Sequence, residues 1–538
     1  MKSLSFKKSF LLLMLTLIIG VLAACGGGDK TSTDDNNDSS GEKAGEATSG
    51  GTLNIGLSAN AKTFDPIKYT GVYESQVMRQ MADTLVIYNK DLSDIIPSLA
   101  TEWKVSDDML VYTFKLREGV KFQKGEYQDG REMKAEDVKY SLERSAKESA
   151  MNRLNGVTEV KVLSDYEVEI HLASPNAALL AMLTDAGNII IPKEEVEGWG
   201  DSFSEHFVGT GPFQLTEWKK DQEVKFVRND NYWGEKPHVD NVTMKFIADQ
   251  NMMTNALRSG DIDIAMDVKG QNREIVKQDS NLELLTNPGL SIVYLDLNNK
   301  VGPTADKRVR EAIYKATNVE EIITGVNQWG GGDVSYLPLP PGSWGYDKSL
   351  IDAVPKYNPE EAKKLLAEAG YPDGFKTEIY VSQARVPYAT IFQSQLKNNL
   401  NIDVEIKVVE WGTYSDTVAK GNAPMNIGGW TWYPDPYFFL YQLFSTKQIG
   451  ALGNGKGYSN PEVDALLERA VSETVVQEER AKLYQEALKL ILADVPRIEL
   501  EATQTVAAIN KKVQGFTVSP DNSIQIVSPN GTNVSIAK

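Results

Sequence analysis

The chain has 538 residues, 74 of them acidic against 56 basic, and a formal net charge of −18. Such acidity argues against nucleic acid as a partner and against a polybasic, membrane-binding surface. One cysteine in the whole chain excludes an internal disulfide, a cysteine-based zinc site and thiol catalysis in the body of the fold. The fold must therefore rest on a large hydrophobic core, spread over two or three domains.

At the N-terminus, Lys2, Lys7 and Lys8 precede an apolar stretch over residues 10–22. That stretch is too short to span a bilayer comfortably and long enough for a signal-peptide core. Leu22, Ala23, Ala24 and Cys25 follow, then three glycines. This segment resembles the bacterial lipobox, whose cysteine receives a diacylglyceryl thioether and becomes the mature N-terminus. The resemblance implies a lipoprotein signal peptide over 1–24 and lipidation, palmitate included, at Cys25. Two or more acyl chains are what stable anchoring requires. The implied place is the extracytoplasmic face of the cell membrane. Residues 26–50 hold no large apolar side chain and read as a disordered linker of r.m.s. span about 25–30 Å, so the lipidated cysteine and its tether occupy 25–50.

From residue 51 onward the pattern is that of a mixed body. Residues 51–57 alternate like a strand. Residues 111–116 alternate, turn at 117–119 and resume at 120–122, which predicts a hairpin with a three-residue loop. Further alternation falls at 166–172, 223–227 and 243–247. Long helical patterns run over 307–326 and 478–492. A shorter helix opens with Asn358 as cap, Pro359 in the first position and Glu361 completing a capping box, and it ends at Gly370. Its apolar stripe is Ala362, Leu365, Leu366 and Ala369. Ser459, Asn460 and Pro461 open another, with Val463, Leu466 and Leu467 inward. There is no internal repeat and no second apolar segment of spanning length. The body is an α/β or α+β protein.

The sequence offers little for catalysis. Three histidines, His171, His206 and His238, are the whole supply, and neither a Gly-x-Ser-x-Gly elbow nor a His-Glu-x-x-His occurs. Residues 450–457 approach a phosphate-binding loop through Lys456, but they lack the Ser or Thr that would meet Mg²⁺ and no apolar strand precedes them. No carboxylate pair stands out for glycoside hydrolysis. These observations favour a binding protein over an enzyme, with no cofactor and no metal.

Specific motifs sharpen that reading. Residues 209–213, Trp218 and 231–234 are joined by 97–100 with Glu102 and Trp103, and by 112–122 and 134–138. Residues 257–261, 309–313, 341–345, 357–359 and 458–461 with Asp464 continue the series. Together they resemble the peptide-type, dipeptide- and oligopeptide-binding, solute-binding proteins of ABC importers, called family 5, over nearly everything from residue 51. The resemblance implies a two-lobe clamshell of the type II, large peptide-binding class, with an inserted subdomain. The lobes would be a discontinuous lobe I at 51–90, 200–285 and 500–538, its inserted subdomain at 91–199, and lobe II at 286–499. The implied function is capture of short peptides by a monomer and delivery to permease subunits served by cytoplasmic ATPases. Alternatives within the resemblance are a nickel chelate, glutathione, an opine or an oligosaccharide, or a surface receptor for peptide signals. A secreted hydrolase is a further alternative.

A buried zwitterion needs a cation for its carboxylate and an anion for its ammonium. In family dipeptide binders an Arg shortly before a Pro-Tyr takes the carboxylate. Here Arg385 precedes Pro387 and Tyr388 with one extra residue between, and a guanidinium can grip a carboxylate bidentately. For the ammonium the family shows a Trp, an Asp, then an Asp-Pro. This chain has Trp430, Trp432 where the first Asp would fall, and Asp435 before Pro436. Either Asp435 shifts into the ammonium's place, or that anchor is absent and Trp432 stacks on something less cationic, with Trp430 and Trp432 as an aromatic floor in both cases. Tyr294 and Ser58, near the expected lobe crossings, complete the set of ligand-binding residues.

Overall fold

Two long strands, Leu282–Leu297 and Arg497–Asn510, pair antiparallel and form the spine of the molecule. The structure, a computed structural model, describes residues 47–48, 50–451 and 453–537. The signal segment, Cys25 and nearly all of the tether lie outside the described residues. Among the described residues the two long strands sit inside an eleven-stranded sheet. On one side of the pair the order continues through Met425–Thr431, Lys376–Val381 and Asp403–Val408. On the other it continues through Ile264–Met266, Thr52–Leu57, Asn241–Phe246, Glu223–Arg228 and Phe213–Lys219.

The spine is not regular throughout. Its register runs from Leu282 opposite Asn510 to Pro288 opposite Gln504, then resumes with Ile292 opposite Ala502. The extra residues bulge out of the 282–297 strand, which bends it between the two halves of the sheet. Gly289 sits in this bulge because a Cβ there would lie 2.7 Å from the Thr503 carbonyl oxygen.

Each half has its own packed interior. Leu53, Ile55, Phe213, Phe226 and Ile524 share one fully buried cluster. Phe392, Leu396, Leu467 and Leu488 belong to another, which extends continuously to Tyr112 and Phe114. Burying a side chain of this size contributes about 1.5–3 kcal/mol. Tyr112 and Phe114 come from a separate four-stranded antiparallel sheet, in the order Ala100–Val105, Val111–Leu116, Glu167–Leu172, Val157–Ser164, backed by the helix Ala135–Glu148.

Two local expectations change. Residues 120–122 do not fold back as a hairpin, because both edges of Val111–Leu116 are occupied by other strands; Lys121 instead bridges Glu132. The helical pattern over 307–326 divides into Lys307–Ala316 and Val319–Val326. Asn318 causes the break: its side chain leaves the helix to accept the Glu321 N–H and cap the second segment. The expected helices at 358–370 and after Asn460 form as Pro359–Glu368 and Pro461–Ser472, each with its asparagine capping. No helix among the described residues is long and apolar enough to cross a membrane.

One buried ion pair stitches the segment after Met425–Thr431 to the helix Gln477–Asp494. Arg480 donates to both carboxylate oxygens of Asp435 at 2.8 and 2.9 Å, and both side chains are about 95% buried. Removing one partner strands the other charge in a dry site. Arg480→Leu is expected to lower the unfolding free energy by about 3–5 kcal/mol. Adding Asp435→Asn should recover part of that loss in urea denaturation, and two additive losses would contradict the pairing.

Candidate functional site

The parallel strands Thr52–Leu57 and Ile264–Met266 end side by side, and of the next residues Asp267 lines the crevice beyond them while Ser58 donates to that carboxylate. In open α/β sheets such crevices at strand C-termini are where ligands bind. Here the crevice is a cleft of about 480 Å³, within the range that encloses small solutes. One wall carries Tyr69, Arg79, Arg153, Asp185, Asp267 and Asn522; the other carries Ser291, Thr431, Trp432, Tyr433 and Thr503. The spine strands meet both walls at the bulge.

The charged groups on the first wall differ in how fully they are engaged. Asp185 accepts from Tyr69 Oη at 2.5 Å, from the Gly187 N–H at 2.6 Å and from Tyr433 Oη on the opposite wall. Arg153 lies 2.7 Å from the same carboxylate. Burial alone would raise the Asp185 carboxyl, but the Arg153 charge and the hydroxyl donors outweigh it and hold the group below the usual carboxylate range. Arg79 donates to the Thr184 carbonyl at 2.7 Å and to Ser75 Oγ at 3.3 Å. No carboxylate lies within ion-pair distance of it among the described residues. Asp267 accepts from Ser58 Oγ at 3.3 Å, Tyr73 Oη at 3.4 Å and Asn522 Nδ2 at 3.1 Å, all neutral donors.

The second wall presents backbone. Met425–Thr431 pairs with the spine from Met425 to Thr431, but its pairing with Lys376–Val381 stops after Asn426. Residues 427–431 are therefore an open strand edge. Trp432 donates its N–H to the Leu290 carbonyl at one end of this ladder, and Asn298 donates to the Pro424 carbonyl at the other. By antiparallel alternation the even-numbered residues between face the spine, and Gly429 and Thr431 turn their N–H and C=O groups to the open edge. Both residues are exposed, while the third outward carbonyl, of Ile427, is taken by Tyr414 Oη.

The residues singled out from sequence fall in several places. Trp432 lines the cleft, stacked on Phe438 with ring centroids 5.2 Å apart, and Ser58 stands behind it, bonded to Asp267. Arg385 lies at the open edge, its guanidinium 2.9 Å from where a Cβ of Gly429 would be, and it has no acidic partner among the described residues. Tyr388 is buried and donates from its hydroxyl to Glu501. Tyr294 is buried beneath the edge, with the Arg497 guanidinium 4.1 Å from its ring centroid. Trp430 donates its indole N–H to the Phe438 carbonyl at 2.7 Å, turning inward. Asp435 is 3% exposed, accepts from Arg480 on both oxygens and from the Tyr437 N–H on Oδ1, and is not among the residues that line the cleft. Lys456 of the glycine-rich run is buried too: it donates to the Leu443 carbonyl at 2.6 Å, and burial pushes its pKa down to about 8.

Sequence reasoning missed Arg79, Asp267, Asn522 and the outward backbone of Gly429 and Thr431. A signal existed for Asp267, an acid directly after a short apolar strand. The lining of Arg79 and Asn522 depends on chain segments more than 400 residues apart.

A two-halved α/β sheet crossed by paired strands, with a cleft at strand ends and an open edge across it, defines a two-lobe solute-binding protein. The chain belongs to the bacterial extracellular solute-binding proteins, family 5, whose middle region matches residues 94–451. The family consists of extracellular and periplasmic binding proteins of ABC importers rather than enzymes. Among curated relatives, the probable D,D-dipeptide-binding periplasmic protein DdpA of Escherichia coli K12 is 31% identical, with 87% of this chain and 92% of that protein covered. Heme-binding protein A of Haemophilus influenzae is 30% identical over 82% of this chain and 85% of its own length. Among solved structures, the ABC transporter-associated periplasmic binding protein DppA of Helicobacter pylori, in complex with the peptide STSA, superposes with a TM-score of 0.77. It is 30% identical and covers 91% of this chain and 99% of its own.

The depressed Asp185 carboxyl gives the site a pH signature. Because its folded pKa lies below the unfolded value of about 3.9, its contribution is present above that pH and is lost as pH falls through the folded value. The stability gap between wild type and Asp185→Asn, read by urea denaturation, should be constant from pH 5 to 7 and shrink below about pH 4. A gap that widens in acid would contradict the assignment.

Proposed function

We propose that the protein captures short peptides in this cleft and delivers them to an ABC permease. The observation that carries the reading is the open edge at Gly429 and Thr431, both exposed, of which Thr431 also lines the cleft. An extended peptide can pair with such an edge as an added strand, main chain to main chain, independent of its side chains. A porphyrin or a simple sugar has no matching ladder of amide groups. Arg385, at the Gly429 end of the edge with its guanidinium free of acids, is the group for the peptide carboxylate. Trp432 floors the Thr431 end. We assign the two halves of the large sheet to lobe I (51–90, 200–285, 500–538, with 91–199 inserted) and lobe II (286–499), closing about the bulged spine. Ligand drives closure by favouring the closed state.

The same proposal places the protein on the outer face of the cell membrane, held through lipid on Cys25 and tethered by residues 26–50. It works there as a monomer, keeping captured solute near the permease and its ATPases. Cys25→Ser should abolish metabolic labelling with palmitate and release the protein to the medium; continued membrane retention would overturn the anchor.

Arg385→Ala is expected to weaken binding of free-carboxylate peptides at least tenfold in calorimetric titration, and to leave C-terminally amidated peptides nearly unchanged. Equal loss for both would refute the carboxylate assignment.

A further inference from the structure

We infer that Asp267, with the side-chain carbonyl of Asn522, receives the ammonium end of the bound solute, an anchor on the wall opposite Thr431. The inference rests on the peptide reading above and names the residue that reading lacks.

The cleft is lined by three carboxylates, Asp185, Asp267 and Asp521, and of these Asp185 has an ion-pair partner. Asp185 has Arg153 and two tyrosine hydroxyls. Asp521 accepts from Ser519 Oγ at 2.6 Å and the Ser523 N–H at 3.0 Å and lies in the field of Arg79. Asp267 has hydroxyl and amide donors at 3.1–3.4 Å and lies in the field of Arg273, with no lysine or arginine within ion-pair distance among the described residues. A half-buried carboxylate held this way is oriented but not neutralised, and a cation delivered to it exchanges that deficit for a charge-assisted bond.

A second observation points to the same spot. Asn522 donates its Nδ2 to Asp267, yet its Oδ1 is buried without a hydrogen-bond partner among the described residues. An orphaned buried acceptor beside an unpaired carboxylate calls for a ligand with several N–H donors and a positive charge. An ammonium has three donors and no acceptor. Neutral hydroxyl ligands would satisfy Asn522 and leave Asp267 uncompensated.

The direction of the peptide follows. Asp267 lines the same cavity as Thr431 and Trp432, whereas Arg385 stands beside Gly429. The N-terminus therefore lies at the Thr431 end of the edge and the carboxylate at the Gly429 end.

Asp267 has φ of 57°, the left-handed region that Asn tolerates as well as Asp, so Asp267→Asn keeps shape and backbone while removing the charge. The full-length protein and this variant are titrated with alanine di-, tri- and tetrapeptides and with their N-acetylated forms, which carry no other cation. Wild type should lose at least tenfold in affinity on acetylation. Asp267→Asn should bind free peptides at least tenfold more weakly than wild type and show little further change on acetylation. Asn522→Gly, which keeps the positive φ of 58° and removes the acceptor together with the Nδ2 bond to Asp267, should give a smaller loss that acetylation likewise erases. If wild type binds the free peptides but Asp267→Asn binds them within twofold, or loses free and acetylated peptides equally, this anchor is overturned and the peptide reading stands. If wild type binds none of the peptides, the peptide reading fails and the anchor with it.

Discussion

The pairing of Leu282–Leu297 with Arg497–Asn510, interrupted at Pro288 to Ile292, is the constraint on which the molecule depends. Each strand serves both halves of the large sheet, so the halves cannot separate without breaking the ladder. The same two strands fix which elements face each other. On one side they seat the parallel strands whose ends hold Ser58 and Asp267; on the other they seat Met425–Thr431 with its outer edge open. A binding cleft results from topology before any side chain is chosen.

Charge then divides the side chains into those that build and those that bind. Arg480 and Asp435 satisfy each other and weld two segments; Arg153 and Asp185 do the same on the cleft wall, with Tyr433 reaching across to join them. Lys456 is absorbed by backbone carbonyls in the core. Arg385 and Asp267 have no opposite charge within ion-pair distance among the described residues; Arg385 stands beside Gly429, and Asp267 lines the cavity that Thr431 lines. A zwitterion with an amide backbone is complementary to that arrangement in sign, order and hydrogen-bonding pattern. The complementarity needs no specific side chain of the ligand, in keeping with relatives whose solutes differ.

The fold was largely legible in the sequence where the signal was local. Asparagine caps before Pro359 and Pro461, the alternating strands and the family motifs all act within a few residues of where they are read. Failures came where a distant partner decided the outcome. Residues 120–122 lost their hairpin because two other strands had taken both edges of Val111–Leu116. Asp435 looked like an anchor until Arg480, 45 residues on, claimed it. Asp267 follows a short apolar strand, a signal in itself, but the groups that orient it, Tyr73, Ser58 and Asn522, lie 194, 209 and 255 residues away. Trp430 and Trp432 sit two apart on the sequence and read alike, yet one bonds inward to the Phe438 carbonyl and the other lines the cleft. Side chains two apart share a face, and these rings lie 6.5 Å apart; what separates them is that the strand ends at Thr431, between the two.

The most direct test of the central claim is native mass spectrometry of the protein purified gently from its host, followed by release and sequencing of the retained solute. The account predicts a population of short peptides with free amino and carboxyl termini and mixed side chains, bound one per chain. A single non-peptide solute, such as a porphyrin or a glycan, bound one per chain would contradict it.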